Sequence, residues 1–301
     1  MMSYMHSFSV TENHIVLYMN NVEFSQTCVL NSLKSDWTGV SGCFSWKDEN
    51  KETAVMVVNM NTGKIAKIAK AENAFVLHHA NAYEEGEEIV LDMCTYENSS
   101  ILKETFFNNN KLKNITLRDE FRERFTPPAF KRLRIPMETK QTASDGDSDA
   151  QILFDEIHPR DEKGNNRGFD FPLVNPRYKG KKYCFIYGLS TPFSGNSKRY
   201  SAAAWVKMNV CELGKEPVIY FDGPTIFPNG DAQFIPNPNG VNEDDGVILT
   251  VIMDGSSGET QLAVIDAKTM KSVATVAIKD RRLRRELKMP NGIHSIWVGE
   301  N

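Results

Sequence analysis

The sequence lacks the features that mark several common classes of protein. In its 301 residues no apolar run approaches the length of about 18 that a membrane-spanning helix needs, and the longest run, 246–253, has the length of a strand. The N-terminus has no basic region followed by an apolar core, so no secretory signal is predicted. We therefore expect a cytoplasmic location.

Basic residues are not in excess. Lysine and arginine number 35 against 39 aspartates and glutamates, which gives a formal net charge of −4. A phosphate-binding surface over the whole protein would need the opposite balance, so no nucleic-acid partner is expected.

Cysteine is scarce and odd in number. Cys28, Cys43, Cys94, Cys184 and Cys211 have no Cys-x-x-Cys spacing. A disulfide framework and a thiolate zinc site are therefore both disfavoured, and a reducing compartment is expected.

Strand-like runs rich in Val, Ile, Phe and Tyr recur through the chain, broken by Gly, Asn, Asp and Pro. The runs 53–58 and 64–68 are joined by an Asn-Thr-Gly turn, and the same arrangement returns at 261–276 and, more loosely, at 204–221. Three copies of strand, short turn and charged strand predict an all-β fold with radial repetition, which is typical of a β-propeller. A β-sandwich with long insertions stays open as the alternative.

Two segments depart from the strand pattern. Residues 117–125 could form two or three helical turns, which Pro127 and Pro128 would end. Residues 137–166 are the most loop-like part of the chain. Because strand patterns continue on both sides, we interpret this segment as a surface excursion between blades, and we predict that residues 1–301 form a single domain.

The histidines are the candidate metal ligands, although none forms a local motif such as His-Glu-x-x-His. Neighbours in a strand point to opposite faces, so at most one of His78 and His79 can face a common centre. His6 lies before a turn and an apolar strand, and His294 follows a Pro-Asn-Gly turn. The inner strands of a propeller could bring such distant residues together. Imidazole suits iron, zinc and copper alike, and scattered histidines that serve only turns and surfaces remain the alternative.

Five segments carry a family resemblance, in order, from residue 4 to residue 298. They resemble the carotenoid cleavage oxygenases, and most closely the animal branch with the β-carotene oxygenases and the retinoid isomerase of the visual cycle. The segments are MHSFSVTENHIVL, HHANAYEEGEEIVLD, FDFPLVNPRYKGKKYCFIYGL, NGVNEDDGVILTVIM and MPNGIHSIWV.

The resemblance implies a seven-bladed β-propeller with one non-haem Fe(2+) held by four histidines on its axis. His6, His78 and His294 match the family's second, third and fourth ligands, while His79 would face away. The first ligand lies upstream of the second by more than the five residues that precede His6. The resemblance therefore implies an N-terminally incomplete member that lacks the first blades, either a fragment or a degenerate form.

The resemblance also assigns supporting residues. The family uses glutamates that hydrogen-bond to the ligand imidazoles, and the matching positions here are Asp170 and Asp231, whose side chains are one methylene shorter. Both could instead be turn residues. Tyr4 and Tyr96 align with aromatics of the substrate tunnel, and core aromatics are the alternative.

The implied activity is a dioxygenase that cleaves one double bond of a carotenoid into two aldehydes, with β-carotene to retinal as the leading reaction. The partners are a carotenoid or apocarotenoid and O2, with peripheral membrane contact allowed and no organic cofactor needed. The alternatives are a retinoid isomerase-like activity, an inactive member that binds lipid or carotenoid, and an interaction propeller in which the histidines have no role.

Overall fold

A computed structural model describes most of the chain. The chain forms two compact units. The N-terminal unit comprises Met1–Ile157 with Ser194–Lys198, and the C-terminal unit comprises His158–Phe193 with Arg199–Asn301. The single domain over 1–301 stays a prediction. The described residues are 4–34, 41–47, 52–102, 116, 120, 126–137, 151–152, 158–160, 166–192, 203–212, 215–220, 225–277, 279–280, 285–286, 294–296 and 298.

Two four-stranded antiparallel sheets form the N-terminal unit. Sheet 1 has the order β1-β2-β5-β6 and sheet 2 the order β10-β9-β8-β7. The strands of sheet 1 are β1 (Ser9–Val10), β2 (His14–Tyr18), β5 (Glu52–Asn59) and β6 (Ile65–Glu72), and those of sheet 2 are β7 (Phe75–Glu85), β8 (Glu88–Tyr96), β9 (Ala129–Pro136) and β10 (Gln151–Ile152).

Two more four-stranded antiparallel sheets form the C-terminal unit. Sheet 3 has the order β11-β12-β13-β14 and sheet 4 the order β15-β16-β17-β18. Their strands are β11 (Arg167–Leu173), β12 (Phe185–Pro192), β13 (Ala204–Asn209), β14 (Val218–Tyr220), β15 (Ile226–Pro236), β16 (Gly246–Asp254), β17 (Glu259–Asp266) and β18 (Lys271–Ala277).

The remaining elements are short. Helix α1 begins after Ser25, whose hydroxyl accepts from the Cys28 N–H, and no helix within the described ranges is long and apolar enough to cross a membrane. These elements are α1 (Gln26–Lys34), the strand pair β3 (Val22–Phe24) and β4 (Phe44–Trp46), the pair β19 (Lys279–Asp280) and β20 (Arg285–Glu286), and 3₁₀ turns at Ser41–Cys43 and Pro176–Tyr178.

The hairpin expected in three copies is confirmed, and its turns share their chemistry. Asn59 ends β5 and its side-chain oxygen accepts from the backbone N–H of Thr62, while Asp266 ends β17 and accepts in the same way from Thr269. The next residue in each turn has a positive φ, 66° at Gly63 and 54° at Met270. An acceptor at the strand end followed by a left-handed residue reverses the chain within a few residues.

Each unit has its own apolar core, made by the alternating faces of its two sheets. In the N-terminal unit the core includes Val16, Val55 and Val57 of sheet 1 with Ala82, Ile89 and Leu91 of sheet 2. In the C-terminal unit it includes Tyr187 and Trp205 of sheet 3 with Phe234, Ile248 and Ile265 of sheet 4. The all-β expectation is confirmed, and burial of these faces stabilises each pair of sheets.

Two expectations about irregular segments have different outcomes. The predicted helix over 117–125 lies outside the described residues except for Glu120. The segment 137–166 is not loop throughout. Its strand β10 pairs with β9, and the backbones of Arg160 and Asn166 form an isolated antiparallel β-bridge. A strand of two residues is too short to leave a pattern in the sequence, which is why it was missed.

The expectation that the cysteines form no disulfides is wrong. Cys28 is bonded to Cys43, and Cys184 to Cys211, with Cα atoms 5.4 and 5.0 Å apart. The first bond joins α1 to the 3₁₀ turn, and the second joins the neighbouring strands β12 and β13 at their ends. The fifth cysteine, Cys94, is a buried thiol in β8. The odd number of cysteines therefore reflects two disulfides and one thiol, and it does not support a reducing compartment.

The disulfides predict a thiol count. In denaturant without reductant, alkylation of the purified chain should modify one cysteine, Cys94, and after reduction it should modify all five. The measurement is intact mass with peptide mapping. A Cys94→Ser variant is the control and should show no modification before reduction, whereas three or more modified cysteines in the unreduced wild type would contradict the assignment.

Candidate metal site and its surroundings

The N-terminal unit brings His6 and His78 together. His6 lies just before β1 and His78 lies on β7, the edge strand of sheet 2. Their rings meet edge to face with centroids 5.0 Å apart. His78 is buried and His6 is exposed. Two imidazoles at this separation can contribute ligands to one ion, so the pair expected from the sequence is present in this unit.

His79 has a different partner from His78. Its Nδ1 lies 3.2 Å from the Ser9 hydroxyl, on β1. Burial, together with the neighbouring His78, lowers the pKa of His79 to about 3, so this imidazole is neutral at physiological pH. The alternation of side chains along an extended strand accounts for the separation of the two neighbours.

Tyr4 and Tyr96 belong to one aromatic cluster in the N-terminal unit. Tyr96 is buried and its ring centroid lies 6.0 Å from that of Phe75, while the Tyr4 ring meets Phe44 edge-on at 5.3 Å. The Tyr4 hydroxyl lies 3.3 Å from Nδ1 of His6. Burial raises the pKa of Tyr4, so its hydroxyl keeps its proton. Both residues therefore pack in or against the apolar core of this unit. Their role in a substrate tunnel stays a prediction.

A carboxylate that the sequence reading missed lies at the end of β7. Glu84 accepts from the Thr11 hydroxyl at 2.5 Å and from the Asn13 backbone and side-chain N–H groups at 3.0 Å, and its Oε1 lies 3.0 Å from Nδ1 of His14. His14, which the resemblance leaves without a role, is therefore part of this network. The network joins the β1–β2 turn to β7. Its residues follow His6 in one segment of the chain and His78 in the other.

Opposing effects act on the Glu84 carboxyl. Burial by itself would raise its pKa, but the hydrogen bonds from Thr11, Asn13 and His14 outweigh burial and lower the pKa to about 2. The only local signal in the sequence was a charged residue directly after two apolar strand positions, Ala82 and Tyr83.

In the C-terminal unit, His294 faces Asp231. Asp231 Oδ2 lies 3.4 Å from Nδ1 of His294, and Asp231 Oδ1 accepts from the Ser295 hydroxyl at 2.5 Å. The His294 ring is 5.8 Å from that of Phe171. A carboxylate at Nδ1 orients an imidazole so that Nε2 is directed elsewhere, which is the usual arrangement around a metal-bound histidine.

Both candidate aspartates lie at bulges in the first strand of a sheet. Asp170 is buried on β11, where pairing shifts register before Leu173 and Phe171 has a φ of 51°. Asp231 lies within a register shift of β15, directly after Gly230. Bulges redirect side chains out of the regular alternation and recur beside functional sites. The role of Asp170 toward an imidazole stays a prediction.

The candidate ligands come from both units, His6 and His78 from one and His294 from the other. Their convergence on one ion stays a prediction. Another histidine of the C-terminal unit, His158, has its Nδ1 3.2 Å from the carbonyl oxygen of Arg167.

A family model matches nearly the whole chain. The model is that of the retinal pigment epithelial membrane protein family, and it covers residues 1–299. Among curated proteins, the chain is 26% identical to β,β-carotene 15,15'-dioxygenase of Gallus gallus over 99% of this chain and 55% of that protein. It is 25% identical to the apocarotenoid-15,15'-oxygenase of Synechocystis over 98% of this chain and 52% of that protein. The chain thus spans about half the length of these curated relatives.

Solved structures share the fold. A variant of the Synechocystis apocarotenoid oxygenase superposes with a TM-score of 0.73 at 23% identity, covering 99% of this chain and 53% of that chain. The cobalt-substituted form of that enzyme gives a TM-score of 0.68 at 22% identity, covering 96% of this chain and 51% of that chain.

The Glu84 network predicts a pH dependence of stability. Because the folded-state pKa of Glu84 is lowered to about 2 from its ordinary value of 4.5, its contribution is complete above about pH 4.5 and is lost as the pH falls through 2. Glu84→Gln should remove about 1 kcal/mol of the stability that the wild type loses between pH 6 and pH 3, after discounting for partial exposure. The measurement is urea unfolding at pH 6 and at pH 3, on wild type and variant.

Glu87→Gln, at an exposed position of the β7–β8 turn, is the matched control and should keep the wild-type dependence. If Glu84→Gln lost as much stability as wild type between the two pH values, the network would not be the source of the dependence.

Proposed function

Because the chain belongs to the retinal pigment epithelial membrane protein family, we propose that it carries the iron-binding part of a dioxygenase that cleaves one double bond of a carotenoid into two aldehydes. The leading reaction is β-carotene to retinal. The relatives named above as a carotene dioxygenase and an apocarotenoid oxygenase support the substrate class. The observation that carries the proposal is the edge-to-face pair of His6 and His78.

The donor set fits one Fe(2+). His6, His78 and His294 are the proposed ligands, and a further imidazole would come from a part of the family domain outside this stretch. The pairing of His6 with His78 and the carboxylate at Nδ1 of His294 support this assignment, because neutral imidazoles bind iron and an oriented ring binds it better. Asp170 is proposed to orient a second ligand ring in the same way.

The proposed architecture is a seven-bladed propeller in which the four four-stranded sheets of this chain are four blades. In support, each of the four sheets follows the chain from one edge strand to the other. His78, Asp170 and Asp231 lie on the first strands β7, β11 and β15, and His6 lies just before β1, whereas His294 lies after β20. First strands would then line the axis, as the inner strands of blades do.

The chain's own residues have the task of binding and orienting an apolar substrate. Met5 directly precedes His6 and Phe8 follows it by two residues, and they expose 38% and 54% of their surface, while the Tyr4 hydroxyl lies 3.3 Å from Nδ1 of His6. Apolar surface beside the histidines favours a polyene, whose burial would contribute about 25 cal/mol per Å². Fe(2+), when bound, supplies the redox chemistry that O2 requires.

The proposal predicts a product and a dependence on His78. With Fe(2+) under air, the chain extended by the part of the family domain that carries the further imidazole should convert β-carotene to retinal, while the chain alone should be nearly inactive. His78→Ala should abolish retinal formation by the extended chain and stoichiometric iron binding by either form, because it removes a ligand. His158→Ala is the control, at a histidine outside the proposed ligand set whose Nδ1 lies 3.2 Å from the Arg167 carbonyl oxygen, and it should retain both. The measurements are product chromatography and iron content.

Other outcomes separate the alternatives. Carotenoid retained without product would favour a binding protein, and an isomerised retinoid formed without O2 consumption would favour the isomerase branch. Iron content unchanged in His78→Ala would overturn the proposed site.

The carboxylate at His294 predicts an effect on metal affinity. Asp231→Asn removes the negative acceptor at Nδ1, and it should weaken cobalt(2+) or iron(2+) binding by about 10–100-fold, as loss of such partners does. Asp254→Asn is the matched control, because it removes a carboxylate from an exposed turn of the same sheet and should leave affinity unchanged. Equal affinities in wild type and Asp231→Asn, measured by titration, would reduce Asp231 to a turn residue.

A further inference from the structure

Within the described part of the chain, β7 is the edge strand of sheet 2, and side chains supply hydrogen bonds to its outer edge near the histidines. Pairing of β7 with β8 shifts register between Val76 and His79 and again between His79 and Asn81. Backbone groups at such an irregular edge need partners other than a regular ladder. In this unit those partners come from the segment around His6.

Ser7 is the tie that lies next to both histidines. Its hydroxyl donates to the Leu77 carbonyl at 2.7 Å and accepts from the His79 N–H at 2.9 Å. These two bonds bracket His78 on β7, and Ser7 itself directly follows His6. A single hydroxyl therefore connects the backbone on either side of one imidazole to the residue beside the other.

We propose that Ser7 is a positioning residue that sets the separation of the His6 and His78 imidazoles, and so the affinity of the site for its metal. This inference rests on the proposed function, in which both imidazoles bind one ion. Ser7 does not contact the metal in this proposal, but acts through the two backbone bonds.

The neighbouring tie does not duplicate Ser7. Asn20 accepts from the Val76 N–H and donates to the Val76 carbonyl, both at 2.8 Å, and it also donates to the Tyr4 carbonyl at 3.2 Å. It thus anchors both segments two residues before the histidines. Without Ser7, the His6 segment would keep its anchors at Tyr4, Ser9 and Thr11 but would lose the two bonds to the backbone on either side of His78.

The hydroxyl group of Ser7 is what this role requires. An alanine would leave the half-buried Leu77 carbonyl and His79 N–H without their hydroxyl partner, whereas threonine keeps the hydroxyl. Substitution should then let the His6 segment move away from β7, and two imidazoles that must meet at one ion tolerate little such movement.

The chain offers a matched control in the same unit. The Tyr18 hydroxyl donates to the Glu72 carbonyl and accepts from the Ala74 N–H, which is the same bridge across a residue as that made by Ser7. Tyr18→Phe removes an equivalent pair of hydrogen bonds beside a residue that is not a candidate ligand.

The experiment compares Ser7→Ala, Ser7→Thr and Tyr18→Phe in the full chain. Cobalt(2+) affinity is measured by titration, the His6–His78 ring contact by a nuclear Overhauser effect without metal, and the His79 amide by hydrogen exchange. Ser7→Ala should weaken cobalt(2+) binding by about 10–100-fold, lose the ring contact and speed His79 exchange. Tyr18→Phe should lower the melting temperature about as much as Ser7→Ala does, but its cobalt(2+) affinity should stay within about 2-fold of wild type. Ser7→Thr should give wild-type values in all three measurements.

Two results would overturn the inference: an intact ring contact with unchanged affinity in Ser7→Ala, or an equal loss of affinity in Tyr18→Phe. If Ser7→Ala does not fold, Ser7→Cys replaces it, because a thiol is a weak donor and acceptor. If the wild type itself binds no metal, the proposed function fails, and the ring contact and His79 exchange then decide the role of Ser7 by themselves.

Discussion

The strand β7 must satisfy its backbone hydrogen-bonding groups along both edges while it carries two adjacent histidines. On one side β8 supplies the ladder, with two register shifts in it. On the other side, among the described residues, the partners are the side chains of Ser7 and Asn20, and Glu84 ties the end of β7 to the β1–β2 turn. Because an unmet backbone group in a buried edge costs free energy, these side chains determine where the non-strand segment around His6 can lie. The meeting of His6 and His78 follows from that requirement.

The C-terminal unit uses interruptions of the ladder in a similar way. Asp170 and Asp231 each lie where the first strand of a sheet breaks register with the second. The apolar core of this unit comes from later strands, in residues such as Trp205, Ile248 and Ile265, and also from β15, through Phe234. The first strand of sheet 4 therefore serves both purposes, because its bulge releases Asp231 from the alternation while Phe234, beyond the bulge, packs in the core.

The parts of the fold that could be predicted are those encoded within a few residues. The hairpin at Asn59 was visible because its strands alternate and its turn carries the residues that a reversal needs. The disulfides were not visible, because Cys184 and Cys211 become neighbours only when β12 and β13 pair. Of the candidate site, the histidines were found through their motifs, but Glu84 was not, since its partners at Thr11 and His14 are distant in the chain. A network of that kind depends on how two sheets meet, and no local pattern reports it.

The carboxylate at position 231 is held in place by its own neighbours. An aspartate reaches one methylene less than a glutamate, so its position depends more on its own support. Its two oxygens have separate partners, since Oδ1 accepts from the Ser295 hydroxyl at 2.5 Å while Oδ2 lies 3.4 Å from the His294 ring. The Ser295 carbonyl in turn accepts from the Gln233 side chain at 2.9 Å, which fixes the residue that follows His294 to β15. The carboxylate and the imidazole are thus both fastened to the same bulged strand, and the contact between them depends on local geometry within sheet 4 and its neighbouring residues.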